Sequence, residues 1–185
     1  MGDFTRGLDE SSLPASIRRG LANHRSIDAF TDIHPEVLQL RKEFSPHRRR
    51  VAGIIIDVVF DHFLIRDWSR YHLLKFESFL QNSFEGLKAG REWMPLRMQT
   101  TVEHMTTHPW LQSYQSLTGV AFALDRMSER SPVARPLAGS LIDLERLYDK
   151  IESVFQHFMP QLCRHVETNA FEGWTHPVAG ASEGP

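Results

Sequence analysis

The segment "RRRVAGIIIDVVFDHFLIRDW", residues 48–68, constrains the fold more than any other part of the chain. Read alone, its β-branched run "GIIIDVVF" suits a buried strand. The whole segment is longer than an ordinary strand. Its two acids, Asp57 and Asp61, are four residues apart, a spacing that on a helix sets both on one face. It therefore predicts a helix from about Arg48 to Trp68, running through the core and carrying two carboxylates and an imidazole, His62.

The rest of the chain also reads as helices punctuated by proline and glycine. The first runs from near Pro14 through "SIRRGLANHRSIDAF", with Ser11 or Ser12 as caps. The second is "PEVLQLRKEF", with Pro35 at the first helical position. Later helices are "LLKFESFLQNSFEGLK", a segment after Pro95, and "WLQSYQSLTGVAFALDRM" after Pro109. The last spans about Leu137 to Val166, with Leu141, Leu144, Leu147, Tyr148, Ile151, Phe155 and Phe158 at helical spacing and Pro160 as a point of kinking or termination. No strand alternation or internal repeat is visible. The expectation is all-α: one helical domain over residues 1–172, with 173–185 a disordered tail.

Composition sets the remaining bounds. The chain has 185 residues, 41% apolar and 24% charged, with net charge −2. That balance argues against nucleic acid as a partner, absent a local basic patch. No stretch approaches the roughly 18 apolar residues of a membrane span. With Cys163 as the one cysteine, no internal disulfide forms and thiolate zinc sites are excluded. A reducing, cytoplasmic setting is the expectation.

Two carboxylates one turn apart in an apolar helix repel each other, and poor solvation magnifies the repulsion. Arginine partners such as Arg25, Arg48 or Arg66 would offset it, and so would a bound cation; the helix alone leaves both open. A second cluster, "NHRSIDAFTD", sets His24, Asp28 and Asp32 four and four apart. Imidazole and carboxylate at i and i+4 can share one ion. Two helices with such stripes favour a shared nitrogen and oxygen site, suited to manganese, iron or magnesium.

Together "GDFTRG", "NHRSIDAFTDIHPEV" and "DVVFDHFLIRDW" resemble the bacterial acyl carrier protein phosphodiesterases, a noncanonical branch of the HD phosphohydrolases. The resemblance runs from Asp3 to the last long helix. It implies an HD-like helical fold and removal of 4′-phosphopantetheine from the serine of holo acyl carrier protein, with manganese as cofactor. It also implies ligation by Asp3, His24, Asp61 and His62. Asp28 and Asp57 follow as further ligands or orienting groups, and Arg25 as a brace for phosphate oxygens. Arg25 has an alternative in a surface ion pair with Asp28 or Asp32. The family usually begins with an apolar, histidine-bearing segment ahead of "GDF"; here Met1 stands almost on that motif, and if that segment contributes a ligand or packs under the site, the chain as given is expected to be inactive or metal-poor.

The basic run "RKEFSPHRRR" contributes Arg41, Lys42, Arg48, Arg49 and Arg50 against Glu43. Carrier proteins are strongly acidic around their modified serine, so this run is the expected docking surface. A solvated helix entrance explains the same charges. Two other functions remain in contention: an HD-like phosphohydrolase acting on a nucleotide or small phosphoester, and a non-catalytic helical binding module with internally paired acids.

Overall fold

The computed structural model describes residues 9–107 and 110–169. Asp3 and the expected tail, 173–185, lie outside the described residues. Eight α-helices with short 3-10 turns between them make up the described chain, and no described residue is in a strand. None of these helices is long and apolar enough to cross a membrane.

The chain divides into two compact units. Of the described residues, the first unit draws on 9–29, 68–107 and 164–169, and the second on 30–67 and 110–163.

Helix α1 (Ala15–Ile33) follows a 3-10 turn whose cap is Asp9, accepting from Ser11 N. The expected caps Ser11 and Ser12 lie inside that turn. Helix α2 (Pro35–Glu43) opens with proline at its first position, where a missing N–H costs nothing. A 3-10 turn at Arg49–Val51 then leads into α3 (Ala52–Arg66). Helix α4 (Phe76–Ala89) ends at Gly90, and α5 (Leu96–Thr107) follows Pro95.

The single helix expected after Pro109 is two: α6 (Trp110–Ser113) and α7 (Leu117–Ser128). Ser116 breaks it by capping α7, its Oγ accepting from Gly119 N at 3.1 Å. Gly119 passes so close to the end of α6 that a Cβ there would sit 1.9 Å from Ser113 O. Before α8 (Leu141–Thr168), Gly139 turns the chain with φ +65, a left-handed conformation that favours glycine. Pro160 does not end α8, which continues for two turns beyond it.

In the second unit α3 packs on α2 and α7. Phe60, Phe63, Phe155 and Phe158 interlock there, with ring centroids 5.2 to 5.5 Å apart. Ile55, Ile56, Val59, Leu124 and Ile151 are fully buried around them. In the first unit α4 lies along α5, where Met94, Met98 and Val102 pack with Leu87.

Candidate functional site

Helix α3 is apolar over most of its circumference, but not all of it. Ile55, Ile56, Val58, Val59, Phe60, His62 and Phe63 are buried, while Ile54, Asp57 and Asp61 form an exposed stripe at i, i+3 and i+7. The carboxylates are therefore not core residues, contrary to the expectation from the apolar run. A 3.6-residue period leaves one stripe of even a greasy helix free, and the acids take it.

Solvent reaches Asp61, yet the volume around it is largely protein rather than water. Loss of hydration, then the charge of Asp57, push the Asp61 carboxyl up to about 7. Burial raises the phenol of Tyr114 as well, and the Asp61 charge adds to that.

Three arginines were alternative partners for these acids. Arg48 binds Asp143, Arg66 binds both Asp67 and Glu152, and Arg25 grips Glu10 through both terminal nitrogens. Arg25 thus has its ion pair with Glu10 rather than with Asp28 or Asp32.

His62 points the other way, into the core, and is 4% exposed. Its Nδ1 lies 2.6 Å from Tyr114 O, and its Nε2 lies 3.0 Å from the Tyr148 hydroxyl. A carbonyl only accepts, so Nδ1 carries the proton and Tyr148 donates to Nε2. Tyr148 in turn accepts from Arg66 Nη1 at 3.3 Å. With both nitrogens engaged, His62 holds α3 to the unit, and an ion at Nε2 would have to displace Tyr148.

On α1, His24 Nε2 stands 3.5 Å from Asp28 Oδ2. That nitrogen is sealed from solvent and makes no hydrogen bond. The third member of the stripe, Asp32, is diverted to Arg41 Nη2 at 2.7 Å. Among the described residues no three His, Cys, Asp or Glu side chains converge closely enough to hold an ion.

The basic run is also rearranged. Arg48 lies inside: its Nε donates to Pro136 O, its Nη2 to Ala138 O and Gly139 O, and its Nη1 to Asp143 Oδ2 and Ser45 Oγ. That burial takes Arg48 out of any partner-facing set. Arg41 lies over Gly53, close enough that a Cβ there would be 3.1 Å from Nη2. Lys42, Arg49 and Arg50 remain exposed. Sequence reasoning missed Asp143, Arg146, Tyr148 and Lys150, all on α8. The i, i+4 spacing of Arg146 and Lys150 was the available signal.

The described helices and motifs fit an existing family. The family model described as acyl carrier protein phosphodiesterase matches residues 1–162. Relatives bearing that name include proteins of Photorhabdus laumondii, 31% identical over 92% of this chain and 87% of the relative, and Pectobacterium atrosepticum, 33% identical over 91% and 88%. A third, from Klebsiella pneumoniae, is 34% identical over 90% and 87%. No solved structure matches. The match takes in α1, α3 and most of the fold, and this chain belongs to the acyl carrier protein phosphodiesterase family.

Proposed function

We propose that the protein hydrolyses the phosphodiester joining 4′-phosphopantetheine to the serine of holo acyl carrier protein, releasing the apo carrier. The observation that carries this reading is the family match across residues 1–162, which spans every motif residue named above.

The donor chemistry fits a divalent ion, manganese first, with iron or magnesium as other ions suited to oxygen and imidazole ligands. Two features support the fit. His24 Nε2 is a desolvated nitrogen with no hydrogen bond, set 3.5 Å from a carboxylate oxygen. That is about the spread of two neighbouring ligands each roughly 2.1 Å from one ion. Asp57 and Asp61 form a like-charged pair whose repulsion a cation would relieve. His24 with Asp28 on α1, or Asp57 with Asp61 on α3, is a pair that would offer an ion two ligands, and the family resemblance adds Asp3. When bound, such an ion lowers the pKa of a water and neutralises phosphoryl charge.

The chain's own groups do the rest. Loss of hydration, then the Asp57 charge, push the Asp61 carboxyl up to about 7, so it would give up a proton on ligating a cation. Asp57, one turn away, would orient the attacking water. Arg25, already forked around a carboxylate, would exchange Glu10 for phosphoryl oxygens of similar geometry. His62, fixed by Tyr114 and Tyr148, keeps the register of α3 against its neighbours.

Incubation of the protein with holo carrier and manganese, followed by chromatography for free 4′-phosphopantetheine, tests the reading. The expected result is release from the carrier and little hydrolysis of a small phosphodiester. Hydrolysis of the small ester with an intact carrier would reassign the substrate.

A further inference from the structure

The basic run loses two members to the fold and gains two from α8. Arg48 is buried and Arg41 is paired with Asp32. In their place Lys150 Nζ lies 2.8 Å from Glu43 Oε1. Arg146 Nη2 donates to Glu43 O at 2.9 Å and to Asp143 Oδ1 at 2.6 Å. The side chains of Arg146 and Lys150 are 51% and 50% exposed. The Glu43 carboxyl is held below its usual range, first by the hydrogen bond from Lys150 and also by the charges of Lys150, Arg146 and Arg49. Lys42 and Arg50, close by in sequence, pair with no acid among the described residues.

Three exposed cations from two distant parts of the chain thus converge on one half-buried carboxylate. Glu145 and Asp149 are also exposed on α8, on the faces beside Arg146 and Lys150. They confine the positive potential to a spot, too small for the extended phosphate track of a nucleic acid. A spot of this size fits one or two carboxylates on an acidic protein helix.

We infer that Arg49, Arg146 and Lys150 form the seat for an acidic helix of the carrier protein, and that Glu43 occupies this seat until a carrier carboxylate displaces it. The inference rests on the carrier-protein reading for its partner, but not on turnover. Glu43 acts as an internal competitor: it keeps the cations ordered and lowers the affinity of the seat. Arg146 touches Glu43 through the backbone carbonyl, so removing the Glu43 charge leaves that bond in place.

The test is binding of a fluorescently labelled apo carrier protein, which the enzyme cannot turn over, followed by anisotropy at low and raised salt. Glu43→Gln should tighten binding by roughly two- to fivefold, the scale of one exposed ion pair. Lys150→Glu should weaken it by roughly tenfold, and salt should shrink both differences. Thermal melts of each variant establish that the fold persists. A well-folded Glu43→Gln protein that binds no tighter, or a Lys150→Glu protein that binds no weaker, overturns the inference. So does a parent protein that does not bind the apo carrier. If the parent binds the carrier but never releases phosphopantetheine, the activity reading fails and the seat stands. If it releases the arm while both variants bind as the parent does, the seat fails alone.

Discussion

Arg48→Ala should destabilise the fold rather than weaken its grip on a partner. The Arg48 and Asp143 side chains are 9% and 5% exposed, 3.2 Å apart. Breaking a buried pair from one side costs about 3–5 kcal/mol, because the remaining charge stays in place without its partner. Two features of this site adjust the figure. Asp143 keeps Arg146 and Ser45, which favours the lower end. The carbonyls of Pro136, Ala138 and Gly139 lose their common donor, which pulls the other way. A loss of about 3 kcal/mol is expected, equivalent in a chain of this length to a fall in Tm of about 6–12 °C. Arg49→Ala, one residue on, is the control, with a change within about 0.5 kcal/mol. Arg48→Lys should recover only part, since one ammonium cannot bond three carbonyls and a carboxylate in the same fork. Urea unfolding of the four proteins measures this directly. Stability of Arg48→Ala within 0.5 kcal/mol of the parent would refute the assignment of Arg48 as an internal brace.

Three further outcomes follow from particular groups. Burial alone would raise the Asp143 carboxyl, but bonds from Arg146, Ser45 and Arg48 outweigh it and hold the group at about 2. Its folded pKa lies below its unfolded value, so its contribution of roughly 2 kcal/mol is present above about pH 4 and lost as pH falls towards 2; acid titration of Asp143→Asn should lack that component. Tyr148→Phe removes the donor to His62 Nε2 and should cost about 1–2 kcal/mol in chemical denaturation, with no cost if the imidazole finds another partner. Asp61 behaves in the opposite sense to Asp143: its folded pKa is raised, so its proton stabilises the fold at low pH and stability is lost as pH climbs from about 4 through 7. In chelator, Asp61→Asn should be more stable than the parent at pH 8 by about 1 kcal/mol, a figure kept small because solvent reaches the group, and equal to it near pH 4; a gap that does not depend on pH would contradict the shift.

Local rules carried most of the helix boundaries. Pro35, Gly90 and Pro95 mark ends that depend on backbone chemistry within a few residues, and the structure has them there. The length of the segment and the four-residue spacing of Asp57 and Asp61 together chose helix over strand for α3. Which face that helix would expose was not legible, since Ile54 and Asp57 share the open stripe while His62 is buried. Hydropathy cannot rank an imidazole against an isoleucine without knowing that Tyr148 and Tyr114 are placed to bond it. The break between α6 and α7 escaped because a serine cap and a close approach at Gly119 look like ordinary helix positions until the turn is built. The arginine run gave no sign that Arg48 turns in and Arg49 turns out. Their difference comes from Asp143, ninety-five residues later.

The central claim is that this chain removes a phosphopantetheine arm from a carrier protein with the aid of the α3 carboxylates. Intact-mass spectrometry of holo acyl carrier protein, incubated with manganese and either the parent or Asp61→Asn protein, tests it most directly. The account predicts that the parent shifts the carrier to its apo mass and that Asp61→Asn leaves the holo mass in place while remaining folded. A carrier that keeps its arm with the parent, or loses it equally with both proteins, would contradict the account.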